Sequence, residues 1–573
     1  MRLTISKSKN AEQLYITKSF RVNKYKTSSK IIKKLGSMES LLPQFGNDRD
    51  KVITWAKKQA ELMTLDEKDS IMKIAIEFYE NKIHQKDEQH NFNVGYFFLK
   101  NIYHKLSLNK ICKNISEQRR ISYDFSNILE NLIYARIIAP SSKLSSFEYF
   151  KNFIECPNFN LHQIYRALDI LAENSDIIQA QLYKNSLNVI NRNKAILYYD
   201  CTNYFFELEE AKGCKQYGKS KENRPNPIVQ MGLFLDGDGL PLAFSIFPGN
   251  ESEQPSLTSL EKQIIKDFNL SKFVVCTDAG LASTANRRFN NINGRSFIVT
   301  QSLKKLKKHL QEWALNPNGW RISKSKKIYD LTKIDENKYQ ETIFYKERWI
   351  NENGLEQRFV VTFSLKYRNY MRNIRDRQID RAEKIINKGS SKKIKNSNSP
   401  ERFIEEIRVT SNGEIAEKKY LTLNESRITE EKSFDGFYGI CTTLEDDVNE
   451  ILKVNKQCWQ IESAFRIMKN EFKARPVFLQ RDNRIKAHFL TCFLSLLIFK
   501  ILDKKLENEY TSEEIIQTLR DMNVHKINGY GYLSSYTRSS LTDSLHGYFG
   551  FRTDTEFISN KSMKKILKKI TLS

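Results

Sequence analysis

The sequence predicts an α/β protein: a mixed sheet flanked by helices, interrupted by a β-rich insertion and preceded by a mainly helical N-terminal region. Three observations predict it. From Ala195, short apolar runs and turns alternate in the order β-β-β-α-β-α-β. From Asn93 to Asn193, apolar residues recur at helical spacing, as in Ile164, Leu168 and Leu171. Between 302 and 433, the runs ETIFYKERWI and LEQRFVVTFS flank Asn-Glu-Asn-Gly, a hairpin signal.

The chain divides into six segments. Residues 1–45 carry short alternating runs rich in Lys and Arg, which read as a small basic β-rich element. Residues 46–193 are helical, beginning with Val52, Trp55 and Ala56 on one side of a helix and broken at Arg136–Lys143 by Pro140 and the serines after it. Residues 194–301 form the first part of the core. AILYYDCT, IVQMGLFLD and LPLAFSIF are its first three strands, and Gly237, Asp238 and Gly239 turn the second into the third. That makes Asp236 and Asp238 turn residues. A helix after Glu253 and the strands FVVCT and SFIVT follow. Residues 302–433 are the insertion, with a basic helix near Asn369–Lys388 and a Lys/Ser/Asn-rich loop GSSKKIKNSNSP that should be mobile. Residues 434–505 complete the core, and 506–573 are a helical, basic tail.

Composition narrows the function. A formal net charge of +25 and a pI near 9.4 point to a polyanionic partner. Aromatic residues at 12% and apolar residues at 40% distinguish a folded protein from a basic disordered one. The eight cysteines form no CxxC pair, and Cys201, Cys276 and Cys492 sit in apolar runs, as buried thiols of a reducing cytoplasm do. MRLTISKSKN lacks the apolar stretch of a secretory signal. The run HFLTCFLSLLIFKIL is interrupted by Lys500 and reads as a buried core helix, not a membrane span.

The chemistry concentrates in three carboxylates. Asp200 ends the apolar run AILYYD, and Asp278 ends FVVCTD in the same way. In WQIESAFRIMKNEFKARPVF, Ile461, Phe465, Met468 and Phe472 fall at steps of four, three and four, one apolar stripe of a helix. Glu462, Arg466 and Lys469 repeat that spacing one residue later, about 100° round the helix. An ordinary solvated Glu–Arg face has the same pattern. Two strand-end aspartates and a helix glutamate are, however, the hard oxygen ligands that a pair of magnesium ions takes.

These residues, their order and the segment IExxFRxMKxxxxxRPVF resemble the DDE transposases of bacterial insertion sequences, in the large group with a Tyr-Arg-Glu-Lys signature. The resemblance runs from about Arg136 to His488. Glu462 and Lys469 match the signature, whereas Asn455 and Cys458 stand where its tyrosine and arginine would be. It implies an RNase H-like core with Asp200, Asp278 and Glu462 as catalytic, metal-binding residues for two Mg²⁺ ions, replaceable by Mn²⁺. It further implies DNA partners (the inverted-repeat ends, read by the helical domain 46–193 as a DNA-binding domain, and a target), a homodimer in the DNA complex and a cytoplasmic, nucleoid-associated location. The expected reaction is end cleavage and joining, with the hairpin intermediate open because of Asn455 and Cys458. Lys469 and Arg466 would hold phosphate, Lys219, Lys221 and Arg224 the backbone. In relatives, an aromatic of the insertion stacks a flipped base, which makes Trp320 and Trp349 candidates, each equally a sheet-packing residue. PGNESE (Pro248–Glu253) resembles the family's turn after the third strand.

Gly213–Ser220, GCKQYGKS, matches the phosphate-loop pattern literally, but ELEEAK precedes it and KENRPNP follows, so neither a strand nor a helix flanks it, and ATP use is not expected. Three other functions stay open: an RNase H-like nuclease without strand transfer, a non-catalytic DNA-binding regulator or inactive copy, and a basic RNA-binding protein.

Overall fold

The computed structural model describes residues 1–8, 11–23, 26–70, 74–388, 398–408 and 419–572. Most of the expected mobile loop, 389–397, lies outside the described residues. The chain forms two compact units, Met1–Glu88 and Gln89–Ser573.

In the first unit, β1 (Arg2–Ser8), β2 (Ala11–Asn23) and β3 (Lys26–Ser37) form an antiparallel sheet in that order. Leu14 and Ile16 alternate onto one face and are fully buried. Leu14 packs with Met38, Leu41 and with Val52 and Ala56 of the helix Arg49–Ser70. The expectation of a mainly helical N-terminal region is therefore not met: alternation, not a 3.6-residue period, governs the described residues up to Ser37.

The second unit opens with β4 (Asn91–Asn93) and continues through helices from Tyr96–Lys105 to Ser175–Ser186. The break foreseen at Pro140 is present. The helix Phe125–Ile138 ends before it, and Ser142 caps the next helix by accepting from the Ser145 N–H at 3.2 Å. Ile164, Leu168 and Leu171 of the helix Leu161–Glu173 are buried.

The central sheet is built from β5 (Ile196–Phe205), β6 (Ile228–Asp236), β7 (Pro241–Pro248), β8 (Val274–Thr277), β9 (Ser296–Gln301), β10 (Ile343–Glu352) and β11 (Leu355–Ser364). A separate antiparallel ribbon, β12 (Ile404–Arg408) and β13 (Lys419–Leu423), follows before β14 (Phe437–Thr442) returns to the sheet. The eight strands lie in the order β10-β11-β14-β9-β8-β5-β6-β7. β5, β8 and β9 are parallel, and β5, β6 and β7 are antiparallel to one another in turn. This large mixed sheet with its helices is consistent with an RNase H-like transposase core.

The insertion differs from expectation in one respect. Its hairpin β10–β11 is not a sheet of its own but extends the central sheet through β14. The hairpin itself forms where foreseen, with Asn353 and Gly354 both at positive φ (53° and 78°), the geometry of an Asn-Gly turn.

The helix Asp482–Lys505 is long and apolar enough to cross a membrane, yet its apolar residues are buried inside the protein. It packs on Phe125–Ile138, Leu161–Glu173 and β7, so one hydrophobic core joins the helical region to the sheet. The tail, read as helical and basic, also contributes β15 (Asn523–Ile527), β16 (Gly531–Ser534) and β17 (Ile558–Ser559), which form a small sheet with β4.

Candidate active site

One face of β5 organises the site. Tyr198, Asp200, Thr202 and Tyr204 alternate onto it. The first, third and fourth meet the segment that carries Glu462: Tyr198 Oη donates to Gln457 Oε1 at 3.0 Å, Lys469 Nζ donates to Thr202 Oγ1 at 2.6 Å, and Tyr204 Oη donates to Met468 Sδ at 3.8 Å. Asp200, in the same row, lines an open cleft of about 330 Å³ together with Glu462, Phe465, Arg466, Lys469 and Lys221. The parallel ladder of β5 and β8 ends at Tyr198 opposite Cys276. Asp200 and Asp278 are each two residues beyond that pair: Asp278 follows the end of β8 as expected, whereas Asp200 is not at a strand end but inside β5, still paired with Leu233 of β6.

The stripe Ile461, Phe465, Met468 and Phe472 is buried as its spacing predicts. The helix is not uniform, however. Trp459–Arg466 is α-helical, and Ile467–Glu471 widens into a π turn, with the Phe472 N–H donating to Ile467 O five residues back at 3.0 Å. Lys469 sits in the widened turn.

Burial pushes the Asp200 carboxyl up to about 7, against the pull of Lys221 and with the charge of Asp278 adding to the rise. Asp200 Oδ1 accepts the Cys201 N–H at 2.7 Å, and Asp278 Oδ1 accepts those of Gly280 (2.9 Å) and Leu281 (3.2 Å). Among the described residues no cationic side chain hydrogen-bonds or ion-pairs with Asp200, Asp278 or Glu462. Lys221, Arg466 and Lys469 line the same cleft, so the carboxylates have cations near them but none in direct contact. Asp200 and Glu462 line the cleft and Asp278 does not, and the oxygens of the three do not all lie within 4.8 Å of one another, so the hard oxygen donors are of the type a divalent cation takes but are not drawn together around a single point.

The other candidates separate. Lys221 ion-pairs with Glu253 at 3.4 Å and hydrogen-bonds the Cys201 carbonyl, at the cleft. Burial, then Lys221, lowers the Lys469 ammonium to about 8. Arg466 is exposed on the cleft wall. Arg224 lies over the Phe205 ring at 4.1 Å, and Lys219 is exposed. Trp320 requires correction. Its ring is fully buried, its indole N–H donates to Asn316 O at 2.8 Å and Lys346 covers it at 4.6 Å, which leaves no face for a base. Trp349 is 45% exposed on β10, five strands from β5, a separation of roughly 24 Å at ~4.8 Å per strand.

Asn455 and Cys458 face the core. Asn455 Nδ2 donates to Tyr438 Oη at 3.1 Å, and Cys458 Sγ lies 3.0 Å from Cys276 Sγ. Asp236 is buried in an ion pair with Arg192 at 2.6 Å and accepts the N–H groups of Asp238 and Leu240, a turn anchor as expected. The GCKQYGKS loop runs into β6 without a helix.

Sequence reading missed Glu222 and Arg475. Glu222 ion-pairs with Arg475 and lies 3.7 Å from Lys469 Nζ, tying the β5–β6 loop to the end of the Glu462 segment. The signal for Glu222 was the charge-rich KENR after the GCKQYGKS loop, and for Arg475 its place in the RPVF end of the Glu462 segment.

Residues 205–498, just over half of the chain, match the family described as "Transposase DDE domain". The chain is a DDE transposase. It is thereby an enzyme of DNA strand cleavage and transfer, and the family implies divalent-metal dependence. Asp278 and Glu462 fall within the matched residues; Asp200 lies five positions before them. Among solved structures, the transposase is similar to a piggyBac transposase synaptic complex with hairpin DNA, determined by cryo-EM, at 8% identity over 84% of each chain with a TM-score of 0.36. No curated protein matches it.

Proposed function

We propose that this transposase binds the inverted-repeat ends of a bacterial insertion sequence of the Tyr-Arg-Glu-Lys group, cuts them and joins them to target DNA, using Asp200, Asp278 and Glu462 as its catalytic carboxylates. The observation that carries this is the cleft in which Asp200 and Glu462 stand on opposite elements while the charge of Asp278 bears on Asp200. The three carboxylates would hold the divalent ions, Mg²⁺ or in its place Mn²⁺. Bound there, such ions supply activation of the attacking oxygen and charge relief at the leaving oxygen.

The protein's own groups orient the DNA. Lys469, fixed by Thr202, and Arg466 on the open wall hold the phosphate to be cut between them. Lys221 steadies the backbone of the Asp200 strand through the Cys201 carbonyl. Lys219 and Arg224 reach neighbouring phosphates from the same loop. Asn455 and Cys458 point into the core, so a hairpin step in this protein has to draw on other groups. We place the enzyme in the cytoplasm, at the nucleoid, and assign it a dimer on DNA.

The test is incubation of the purified protein with a plasmid carrying the inverted repeats that flank its coding region, with Mg²⁺ or Mn²⁺. Asp200→Ala and Glu462→Ala should both abolish end cutting while DNA binding persists. Cutting that survives either change places the active site elsewhere. Cut ends that never join to target DNA would make the protein a nuclease without strand transfer.

A further inference from the structure

A second cavity, of about 570 Å³, opens beneath the end of the π turn. Arg136, Lys143, Lys473, Arg475 and His488 line it, and no carboxylate does. Arg136 has structural work: its Nη1 donates to Phe472 O at 3.1 Å and its Nη2 to Ser141 O at 3.2 Å, while its buried Nε is left without a partner. His488 is neutral, held far below its usual range by burial and by Arg136 and Lys143, and its Nε2 pairs with Ala474 O at 3.1 Å. Lys143 has no such explanation. It is only 5% exposed, and among the described residues no acceptor or carboxylate meets its ammonium. Burial, then the Arg136 charge, brings it down to about 7. Its side chain is buried while the ammonium is open to the cavity, and an anion entering there would supply the counter-charge that the protein does not.

The cavity adjoins the cleft through one chain of charges. Arg475, on its wall, pairs with Glu222, which lies 3.7 Å from Lys469 in the cleft. The Val477 N–H donates to Phe205 O at 3.1 Å, fixing the cavity wall to the end of β5.

We propose that this cavity is a seat for one backbone phosphate of the DNA strand, with Lys143 as its counter-ion. The assignment to DNA rests on the transposase reading; the assignment of a phosphate rests on the cavity alone. It places a contact from the helical region beside the cleft, one that no feature of the Glu462 segment supplies.

The experiment uses the full chain and its Lys143→Met and Lys143→Arg variants. Methionine preserves the aliphatic volume, and thermal melting of each variant without ligand verifies folding. In the first arm, inorganic phosphate is titrated while melting temperature is followed in a fixed concentration of chloride. Phosphate should raise the melting temperature of the wild type and of Lys143→Arg more than that of Lys143→Met. Equal shifts in all three would overturn the seat, whatever the protein does with DNA. In the second arm, binding of end DNA is measured from 50 to 200 mM salt. Lys143→Met should weaken it about five- to tenfold and reduce the slope of log K against log salt by roughly 0.9, one phosphate's worth, with Lys143→Arg restoring both. An unchanged affinity and slope in folded Lys143→Met assigns Lys143 to packing and rejects the DNA contact. Loss of end preference in the wild type itself, with the phosphate shift intact, would reject the transposase substrate and not the seat.

Discussion

Single residues decide whether the cleft is a reaction centre or a charged groove. Partners one shell outside a metal typically account for 10–100-fold in metal affinity or activity, so Glu462→Gln should cost cleavage at least about 100-fold with end binding within twofold, read by gel assays of cutting and binding. A pH signature lies elsewhere, at Glu261. This side chain is fully buried on the helix Gln254–Phe268, accepts from Asn290 Nδ2 at 2.8 Å, and has its carboxyl pushed up to about 8, burial outweighing Asn290 and Arg295. The sign follows from proton counts. Between its ordinary value of 4.5 and about 8 the folded protein keeps a proton that the unfolded chain has lost, so rising pH removes stability. Glu261→Gln should therefore melt higher than the wild type at pH 8.5, the gap closing as pH falls towards 4.5. A constant gap across that range would show that the carboxyl does not titrate this way. At this scale the sequence was legible where a carboxylate ended an apolar run, as at Asp200 and Asp278. It was silent on Trp320, because burial of an indole between a lysine and two phenylalanines depends on residues far apart in the chain.

Elements were legible where their period is local. The Glu462 stripe, the Asn353–Gly354 turn and the helix break at Pro140 all stand where spacing put them. What spacing cannot express is which strands become neighbours. The β10–β11 hairpin has the same sequence whether it forms its own sheet or, as here, extends the central one through β14. The C-terminal strands β15–β17 escaped notice because each is five residues or fewer. The pairing has a consequence for engineering. Excision of 343–364 strips β14 of one of its two partners and exposes Val360 and Phe359's former neighbours as an open, apolar edge. Such a deletion should drive the protein into the insoluble fraction, measured by sedimentation after lysis. A soluble product that still cuts ends would make the hairpin an accessory layer. Within the Glu462 segment, Phe472→Ala removes a fully buried ring at the close of the π turn and should cost about 3–5 kcal/mol in denaturant unfolding.

At the scale of the molecule, the division falls at Glu88–Gln89, inside a stretch that helical spacing alone made continuous from 46 to 193. The helices after Tyr96 share their core with Asp482–Lys505 and belong with the catalytic sheet. Residues 89–573 should therefore fold without the first unit and keep a single cooperative melting transition; loss of that transition on truncation would show that the sheet of residues 1–37 is needed for folding. The formal charge of +25 bears on affinity more than on fold. If the DNA complex uses six to ten phosphate contacts, binding should fall about 10³–10⁵-fold between 50 and 200 mM salt, and a flat salt response would remove the polyanion from the account.

The position of β14 also sets a schedule for synthesis. It is the last strand of the central sheet to be made, yet it lies between β9 and β11, both made long before it. At about 5–20 residues per second, the ribosome delivers it on the order of 10 s after β9. Until then the hairpin has no place to dock, and the helix bearing Glu462 has not yet emerged. The nascent chain waits with a vacant slot in its middle, and only a nearly finished protein can close the groove that handles DNA. Chains arrested just before Phe437 should lose the β10–β11 hairpin to protease while arrested chains extended well past Thr442 retain it; a resistant hairpin at the shorter length would mean that it finds a temporary partner.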